Sequence, residues 1–219
     1  MNIIRIPGLA DYQETLELQE QLVRAHQEDP EREDDLLLLE HAGVYTIGRT
    51  RDHASLHPGS ALPFPVHEIN RGGQATYHGP GQLVGYPITD LNRCGRDLHN
   101  YVTALENALI EACAKFGVQA RIREGLVGVW VEDRKIASIG VGVKKWIAMH
   151  GFAFNVTRES LPGNHSVRHP GRADDLPGTG NAGIRAEGRP AGPVRRRFCN
   201  TVEGKIPPEF KRCRVCRGA

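Results

Sequence analysis

Two stretches of the chain repeat hydrophobic residues with the period of a helix. After Asp11, an acidic N-cap, apolar residues recur every three or four positions and predict a helix over Tyr12–Glu28. A second amphipathic pattern begins after Asp97, carries an apolar face as far as Phe116, and ends at Gly117, a residue suited to a helix C-terminus. The sequence therefore predicts two long helices, far apart in the chain.

The remaining apolar runs are short and bounded by turn residues, which is typical of strands. The hydrophilic residues Glu132, Asp133 and Arg134 separate two such runs as a hairpin turn would. Strands are predicted near Leu36–Leu39, Val66–Asn70, Gln82–Ile88, Val118–Ile122, Val127–Val131, Ile136–Val143 and Ile147–Val156. Together these elements indicate an α/β fold of the α+β type, in which one mixed β-sheet is flanked by helices.

Charge and composition change after about residue 157. Thr157 to Ala219 carry 13 Lys and Arg against 6 Asp and Glu, whereas the preceding residues carry 15 against 20. The same segment holds 7 of the 14 prolines and 9 of the 25 glycines, and its large apolar residues follow no period. Such a composition buries too little surface to offset chain entropy. We expect a catalytic domain over residues 1–157 and an aberrant, disordered, basic tail over residues 158–219.

Bulk composition narrows the function classes. The 219 residues are 39% hydrophobic, enough for one buried core, and no apolar run reaches the 18 residues of a membrane span. The N-terminal residues lack the apolar core of a signal peptide, and the five cysteines form an odd, scattered set unlike a disulfide framework. We expect a cytoplasmic protein with no membrane partner. The basic run Arg195–Arg197 reads as solvated charge, and we expect no nucleic acid partner either.

The stretch Arg71–Ile88 is the most informative part of the chain. It reads Arg-Gly-Gly-Gln-Ala-Thr-Tyr-His-Gly-Pro-Gly-Gln-Leu-Val-Gly-Tyr-Pro-Ile, a glycine-rich loop between two predicted strands. Gly72 and Gly73 allow main-chain N–H groups to approach a bound carbonyl or acyl chain closely. Thr76 and His78 add side-chain donors and a titratable ring. The pattern favours a ligand-binding loop over a plain hairpin turn.

This stretch resembles the signature of the octanoyltransferases, enzymes of protein lipoylation. Two further stretches agree with that family: Leu38–Arg49, and Lys135–Phe154 with its Lys-Ile-Ala-Ser-Ile-Gly and His-Gly-Phe-Ala-Phe segments. The resemblance covers roughly residues 1–157. It implies the fold shared by biotin and lipoate protein ligases and the transfer of octanoyl from octanoyl-acyl carrier protein to a lysine of lipoyl domains. The implied acceptors are the E2 subunits of 2-oxoacid dehydrogenases and the glycine cleavage H protein.

The resemblance also assigns roles to individual residues. Lys135 would lower the pKa of a cysteine that carries the acyl group as a thioester, because an ammonium about 4 Å from a thiolate contributes about 4 kcal/mol at an effective dielectric near 20. Thioester exchange followed by amide formation needs no ATP, so no cofactor and no metal are expected. The substrate-binding residues would be Arg71, Gly72, Gly73, Gln74, Ala75, Thr76, Tyr77, His78, Ser138, Ile139, Gly140, Gly151, Phe152 and Ala153. We expect these residues to enclose one apolar groove, with Lys135 near its mouth.

The expected nucleophile is missing. No cysteine lies between Cys113 and Cys199, and the family's Pro-Cys-Gly loop is absent where Asn164–Arg172 now stands. Synonymous codons for Asn164–Gly178, read one nucleotide later, can spell Ile-Thr-Pro-Cys-Gly-Ile-Arg-Asp, with the cysteine across the codons of Val167 and Arg168. We interpret the tail as the right gene read in the wrong frame and expect this chain to be inactive.

Two alternatives remain open at this stage. One is an ATP-dependent lipoate or biotin protein ligase, which needs an adenylate-binding lysine motif that we do not find. The other is a non-catalytic acyl-binding or inert remnant, which the missing cysteine leaves open.

Overall fold

The computed structural model describes residues 1–49 and 62–156. The predicted disorder of residues 158–219 and the position of Val167 and Arg168 lie outside this part of the chain. The described residues form two α-helices, a seven-stranded sheet and a three-stranded sheet.

Both predicted helices are present, and aspartates begin them. Helix α1 spans Tyr12–Glu28, and the Asp11 carboxylate accepts a hydrogen bond from the Glu14 N–H. Helix α2 spans Leu98–Ala114, with Asp97 accepting from the Asn100 N–H in the same way. Helix α2 ends at Ala114, earlier than the predicted end at Gly117, and Gly117 lies in the following turn with φ of +74°.

The main sheet is mixed, as predicted. Its strand order is β1-β2-β6-β10-β9-β8-β7, with β1 and β2 parallel and every other pair antiparallel. A 3-10 turn, Leu91–Cys94, follows the third of its strands in chain order. The strands are β1 Asn2–Ala10, β2 Asp35–His41, β6 Gln82–Asp90, β7 Arg121–Arg123, β8 Leu126–Val131, β9 Arg134–Lys144 and β10 Ile147–Asn155.

The two faces of the main sheet bury different clusters. Leu36, Leu83 and Phe154 point to one face, where they pack with Leu109 and other residues of α2. Leu37, Leu39, Val84 and Ala153 point to the other face, where they pack with Leu22 and Val23 of α1. The alternation along each strand follows from the pleat. Helix α1 covers only part of its face.

A second, small sheet was not predicted. It has the order β4-β3-β5, where β3 is Val44–Ile47, β4 is Val66–Glu68 and β5 is Thr76–His78. The mixed sheet with flanking helices is present as predicted, but this additional sheet was missed, because β3 has only four residues and β5 lies inside the glycine-rich stretch. The predicted strand Val118–Ile122 is also displaced, since pairing with β8 begins only at Arg121.

Candidate functional site

The glycine-rich loop packs directly on strand β9. The Gly72 N–H donates a hydrogen bond of 2.9 Å to the carbonyl oxygen of Val141. A Cβ atom on Gly140 would lie 2.9 Å from the Gly72 oxygen, and one on Gly142 would lie 2.4 Å from the Asn70 oxygen. Glycine at these two positions of β9 therefore lets the loop backbone approach the sheet. The two predicted segments, Arg71–Gly73 and the strand around Gly140, are neighbours in space.

Strand β10 continues this small-residue surface. Gly151 pairs with Gly140 across β9 and β10 and has φ of +156°. A Cβ on Gly151 would lie 2.4 Å from the Gly85 oxygen of β6. Three adjacent strands therefore carry glycine where their backbones come close, and Gly151 joins the same region as Gly140.

Arg71 is buried between the small sheet and the main sheet. Its Nη2 donates to both the carbonyl oxygen and the hydroxyl of Thr46, at 3.0 and 2.7 Å, and its Nη1 donates to the Gly72 oxygen. Burial lowers the pKa of Arg71 from its usual value, yet a guanidinium stays charged in proteins. Within residues 1–49 and 62–156, no carboxylate forms an ion pair with it. The site thus holds a buried cation with oxygen partners that are neutral.

His78 is the middle of a hydrogen-bond chain that starts at Arg71. Its Nε2 lies 3.3 Å from the Thr46 hydroxyl, and its Nδ1 lies 2.8 Å from Oε1 of Gln82. Gln82 in turn donates through Nε2 to Oδ1 of Asn155, at the end of β10. Because Gln82 donates through Nε2 to Asn155 and to the Tyr77 carbonyl, its Oε1 faces His78 and accepts from Nδ1–H, so the Nε2 of the neutral ring accepts from the Thr46 hydroxyl. Both ring nitrogens of His78 are therefore used within the protein.

A group of aromatic rings lies beside this chain. Tyr12 contacts His41, His67 and His78, with ring centroids 5.1, 5.0 and 6.4 Å apart. His41 Nε2 lies 2.8 Å from the Tyr86 hydroxyl, and its Nδ1 lies 3.2 Å from the Ala10 oxygen. Burial lowers the pKa of His41 to about 4 and that of His78 to about 3. The His41 and His78 rings are neutral at pH 7, so this part of the site has a polar lining in which Arg71 carries the charge.

Some predicted site residues turn their side chains away from this region. Ala75 and Tyr77 pack in the core of the small sheet with Tyr45. Ile139 and Phe152 pack in the core on the α2 side of the main sheet. Only main-chain atoms of these four residues can reach the glycine-lined surface. Gln74 and Thr76 are half-buried, Ser138 lies on the same face as Gly140, and Ala153 packs on the α1 side.

Lys135 is the second residue of β9 and lies before Gly140 on that strand. Its Nζ is 5.1 Å from the centre of the Trp130 ring, a cation–π contact, and a Cβ on Gly128 would lie 2.6 Å from its Cε. A bulge in the β8–β9 pairing turns both Ile136 and Ala137 toward the α2 side, which leaves Lys135 on the face that Ser138 shares. Lys135 lies five positions before Gly140, a distance of about 16 Å along a strand.

Sequence reasoning missed several residues of the site, and His150 and Gln19 are the least expected of them. His150 follows the regular β10 pattern in sequence, yet it has φ of +60° and is buried on the site side. Gln19 of α1 looks like a polar surface residue, yet it is fully buried and its Oε1 accepts the His150 N–H at 2.9 Å. The one available signal was the glycine that follows His150, because an irregular strand often uses glycine.

Comparisons with known proteins agree with this geometry. Residues 11–172 match the family model described as the lipoyl protein ligase A/B catalytic domain. An octanoyltransferase of Geobacter metallireducens is 46% identical over 209 residues, which cover 94% of this chain and 92% of that protein. An octanoyltransferase of Geobacter sp. strain M21 is 52% identical over 157 residues, 71% of this chain and 74% of that protein.

The chain belongs to the octanoyltransferase family. Its fold is that of the lipoate protein ligases. The putative lipoate protein ligase Ta0514 of Thermoplasma acidophilum matches with a TM-score of 0.61 at 13% identity, over 94% of this chain and 86% of that chain. The Geobacter metallireducens alignment spans more residues than the 157 over which the family signature was recognised, so it extends into the tail.

Neither cysteine in the described part of this octanoyltransferase-family chain lies in the glycine-lined region. Cys113 is fully buried in the core beneath α2, and burial raises the pKa of its thiol to about 12. Cys94 is half-buried in the 3-10 turn. A buried thiol with such a high pKa is not a nucleophile at neutral pH.

Two further features are absent from the described residues. No helix there has both the length and the apolarity to cross a membrane. No cluster of three or more His, Cys, Asp or Glu side chains there is arranged to hold a metal ion.

Proposed function

We propose that residues 1–157 bind the octanoyl group in a groove between the glycine-rich loop and strands β9 and β10. The packing of Gly72 on Val141 supports this proposal, because it brings two of the predicted substrate-binding segments together. Gly140 and Gly151 let the loop and the strands pack closely, so the acyl chain would lie along the exposed Gly73 beside this contact, and Arg71 and the neutral histidines would form a polar end.

The reaction that this groove would serve is the family's acyl transfer. Octanoyl would pass from octanoyl-acyl carrier protein to an enzyme thiol and then to a lysine of a lipoyl domain. Acceptors would be the E2 subunits of 2-oxoacid dehydrogenases and the glycine cleavage H protein, and the compartment would be the cytoplasm. The first step exchanges one thioester for another and the second forms a more stable amide, so neither ATP nor a cofactor is needed.

Lys135 would tune the nucleophile in this reaction. A cationic ammonium beside a thiol stabilises the thiolate and lowers the thiol pKa. The position of Lys135 on the Ser138 face of β9 agrees with this role. The Lys135 ammonium also lies against the Trp130 ring, which would restrict its movement.

The present chain would lack the thiol itself. The sequence has no cysteine between Cys113 and Cys199, and Cys113 is buried with a raised pKa. We therefore propose that this polypeptide binds octanoyl but neither forms the acyl-enzyme nor transfers octanoate at a useful rate. A reading-frame change after residue 157, which replaces the Pro-Cys-Gly loop by Asn164–Arg172, accounts for this loss.

Intact-protein mass spectrometry tests the proposal. The full chain and a version whose frame is restored after residue 157 would each be incubated with octanoyl-acyl carrier protein and a lipoyl domain. The restored chain is expected to gain one octanoyl group that hydroxylamine removes and to acylate the lipoyl domain without ATP. The present chain is expected to do neither.

Two outcomes would contradict the proposal. A hydroxylamine-sensitive octanoyl adduct on any cysteine of the present chain would show that its nucleophile is intact. Acylation of the lipoyl domain that requires ATP would assign the chain to the ligase alternative instead.

A Lys135→Met variant of the restored chain, which keeps the side-chain length, serves as the matched control for thiol activation.

A further inference from the structure

His150 has a backbone conformation that is rare inside a strand. Its φ of +60° lies in the left-handed region, which non-glycine residues seldom adopt. Ala148 and Phe152, two residues before and after it, point to the α2-side core as the pleat requires. His150 would point the same way in a regular strand. Its ring instead lies on the opposite side, where Cδ2 is 3.0 Å from the position of a Cβ on Gly142.

The neighbouring elements hold this irregularity in place. The β6–β10 register puts Pro87 opposite His150, and proline has no N–H to donate to the ladder. Regular pairing is interrupted between Ala148 and Phe152. The His150 N–H donates instead to Oε1 of Gln19, a side chain from α1 that is fully buried. Strained conformations that surrounding residues fix in this way cluster at functional sites.

The imidazole of His150 differs from the other two buried histidines nearby. Both ring nitrogens of His41 and both of His78 are hydrogen-bonded within the protein. The His150 ring is 3% exposed, and neither of its nitrogens has a hydrogen-bond partner among residues 1–49 and 62–156. A ligand that reaches the ring would take up hydrogen-bonding capacity that these residues leave unused.

The surroundings of His150 limit what that ligand can be. Burial and the nearby Arg71 cation lower the pKa of His150 to about 4, so the ring is a neutral donor at pH 7. The next residue is Gly151, which belongs to the octanoyl groove proposed above. The Tyr86 ring is 6.4 Å away, edge to face. A neutral oxygen acceptor at the polar end of an apolar chain fits this position.

We propose that His150 donates a hydrogen bond from its imidazole to the carbonyl oxygen of the octanoyl thioester, and that Gln19 is the positioning residue that holds His150 in its left-handed conformation. This inference rests on the proposed function, since it needs the acyl group in the groove. It adds a substrate-contacting residue and a helix residue to the site.

The test compares two ligands that differ only in the carbonyl group. S-octanoyl-pantetheine and its thioether analogue S-octyl-pantetheine would be titrated into the full chain and into His150→Gly, since glycine adopts φ of +60° without strain. The variant is expected to bind the thioester about fivefold to tenfold more weakly, the size of one hydrogen bond, and to bind the thioether about equally. Equal losses for both ligands would overturn the proposal.

Infrared spectroscopy supplies a readout that a structural role would not change. The carbonyl band of the bound, 13C-labelled thioester is expected to move to higher wavenumber in the variant, because a hydrogen bond to the oxygen is lost. An unchanged band would also overturn the proposal. His150→Asn, which tolerates the left-handed region, repeats both measurements if His150→Gly does not fold.

Gln19→Met tests the positioning residue. Methionine keeps the length of the side chain but removes the acceptor for the His150 N–H. This variant is expected to reproduce the thioester-specific loss and the band shift, and wild-type behaviour would exclude Gln19 from the role. If the wild-type chain binds neither ligand, the proposed function itself fails. If it binds both and only His150 is without effect, the inference fails alone.

Discussion

The two faces of the main sheet contrast in what they bury. On the α2 side, aliphatic and aromatic side chains such as Leu36, Leu109 and Phe154 form one large cluster. On the α1 side, the aliphatic cluster is smaller, and the rest of the face holds Arg71 and three neutral histidines beneath the small sheet. One face is thus a conventional core, and the other combines a core with a polar site.

The two faces also differ in how closely backbone segments approach each other. On the site face, glycines on β9 and β10 allow the loop backbone and neighbouring strands to come within contact distance. On the α2 face, the same strands carry large side chains that fill the space beneath the helix. Changes on the α2 face should therefore affect mainly stability, and changes on the site face should also affect ligand binding.

Phe154→Ala should give the largest effect on stability. Phe154 is fully buried beneath α2, and removing its ring leaves a cavity. The free energy of unfolding, measured by urea titration, is expected to fall by about 3 to 5 kcal/mol. The affinity of the folded protein for S-octanoyl-pantetheine should stay within about twofold, a change too small to count as a lost hydrogen bond. Phe64→Ala, at a half-buried ring of the small sheet, is the control and should cost less.

Thr46→Val should give the next largest effect and acts on the site face. Valine has the shape of threonine but cannot accept the hydrogen bond from Nη2 of Arg71 or donate to His78. Leaving a buried charged donor unpaired is expected to cost about 1.5 to 3 kcal/mol. Thr46→Ser, which keeps the hydroxyl, is the matched control.

Nitrogen chemical shifts of the His78 ring add a second readout for Thr46. In the wild type and in Thr46→Ser, the proton is expected on Nδ1. If Thr46→Val changes neither the stability nor the tautomer signals, the hydrogen-bond chain has no energetic importance.

Mild acid should destabilise the site face before it affects the carboxylates. The pKa of His41 is lowered to about 4, while the unfolded chain has the ordinary value of about 6.5. Below pH 6.5 the unfolded state therefore binds a proton that the folded state does not, and stability falls until about pH 4. At pH 5 this amounts to about 2 kcal/mol for one histidine.

The variant His41→Gln isolates this contribution. The loss of unfolding free energy between pH 7.5 and pH 5 is expected to be smaller in His41→Gln than in the wild type by up to that amount. His99→Gln, at an exposed residue of α2, is the surface control for the same substitution. Equal pH dependence in all three proteins would contradict the neutral state of the buried ring.

Regular patterns predicted the two helices well. Both helices begin where Asp11 and Asp97 indicate, and α1 ends where the apolar period ends, because these are local signals. Strand β1 was missed, since Pro7 and Gly8 interrupt its pattern and its register shifts between Arg5 and Leu9. Short edge elements such as β7 depend on pairing with a neighbour and were placed less accurately.

The site face was harder to predict because its geometry depends on long-range contacts. The family signature identified Arg71–His78, but it did not show that Tyr77 packs away from the groove or that β5 lies within the loop. The positive φ of His150 depends on Pro87 and Gln19, which lie far from it in sequence. Gln19 is buried because its helix, α1, packs against β10. No local pattern carries that information.

A nuclear magnetic resonance titration tests the central claim most directly. Backbone amide signals of the full chain would be followed while S-octanoyl-pantetheine is added. The account predicts that the largest changes occur at Gly72, Gly73, Gly140 and Gly151, with the amides of Leu105, Leu109 and Ala112 on α2 unchanged. Largest changes on the α2 side, or saturating binding that leaves all four glycine amides unmoved, would contradict an octanoyl site on the glycine-lined face.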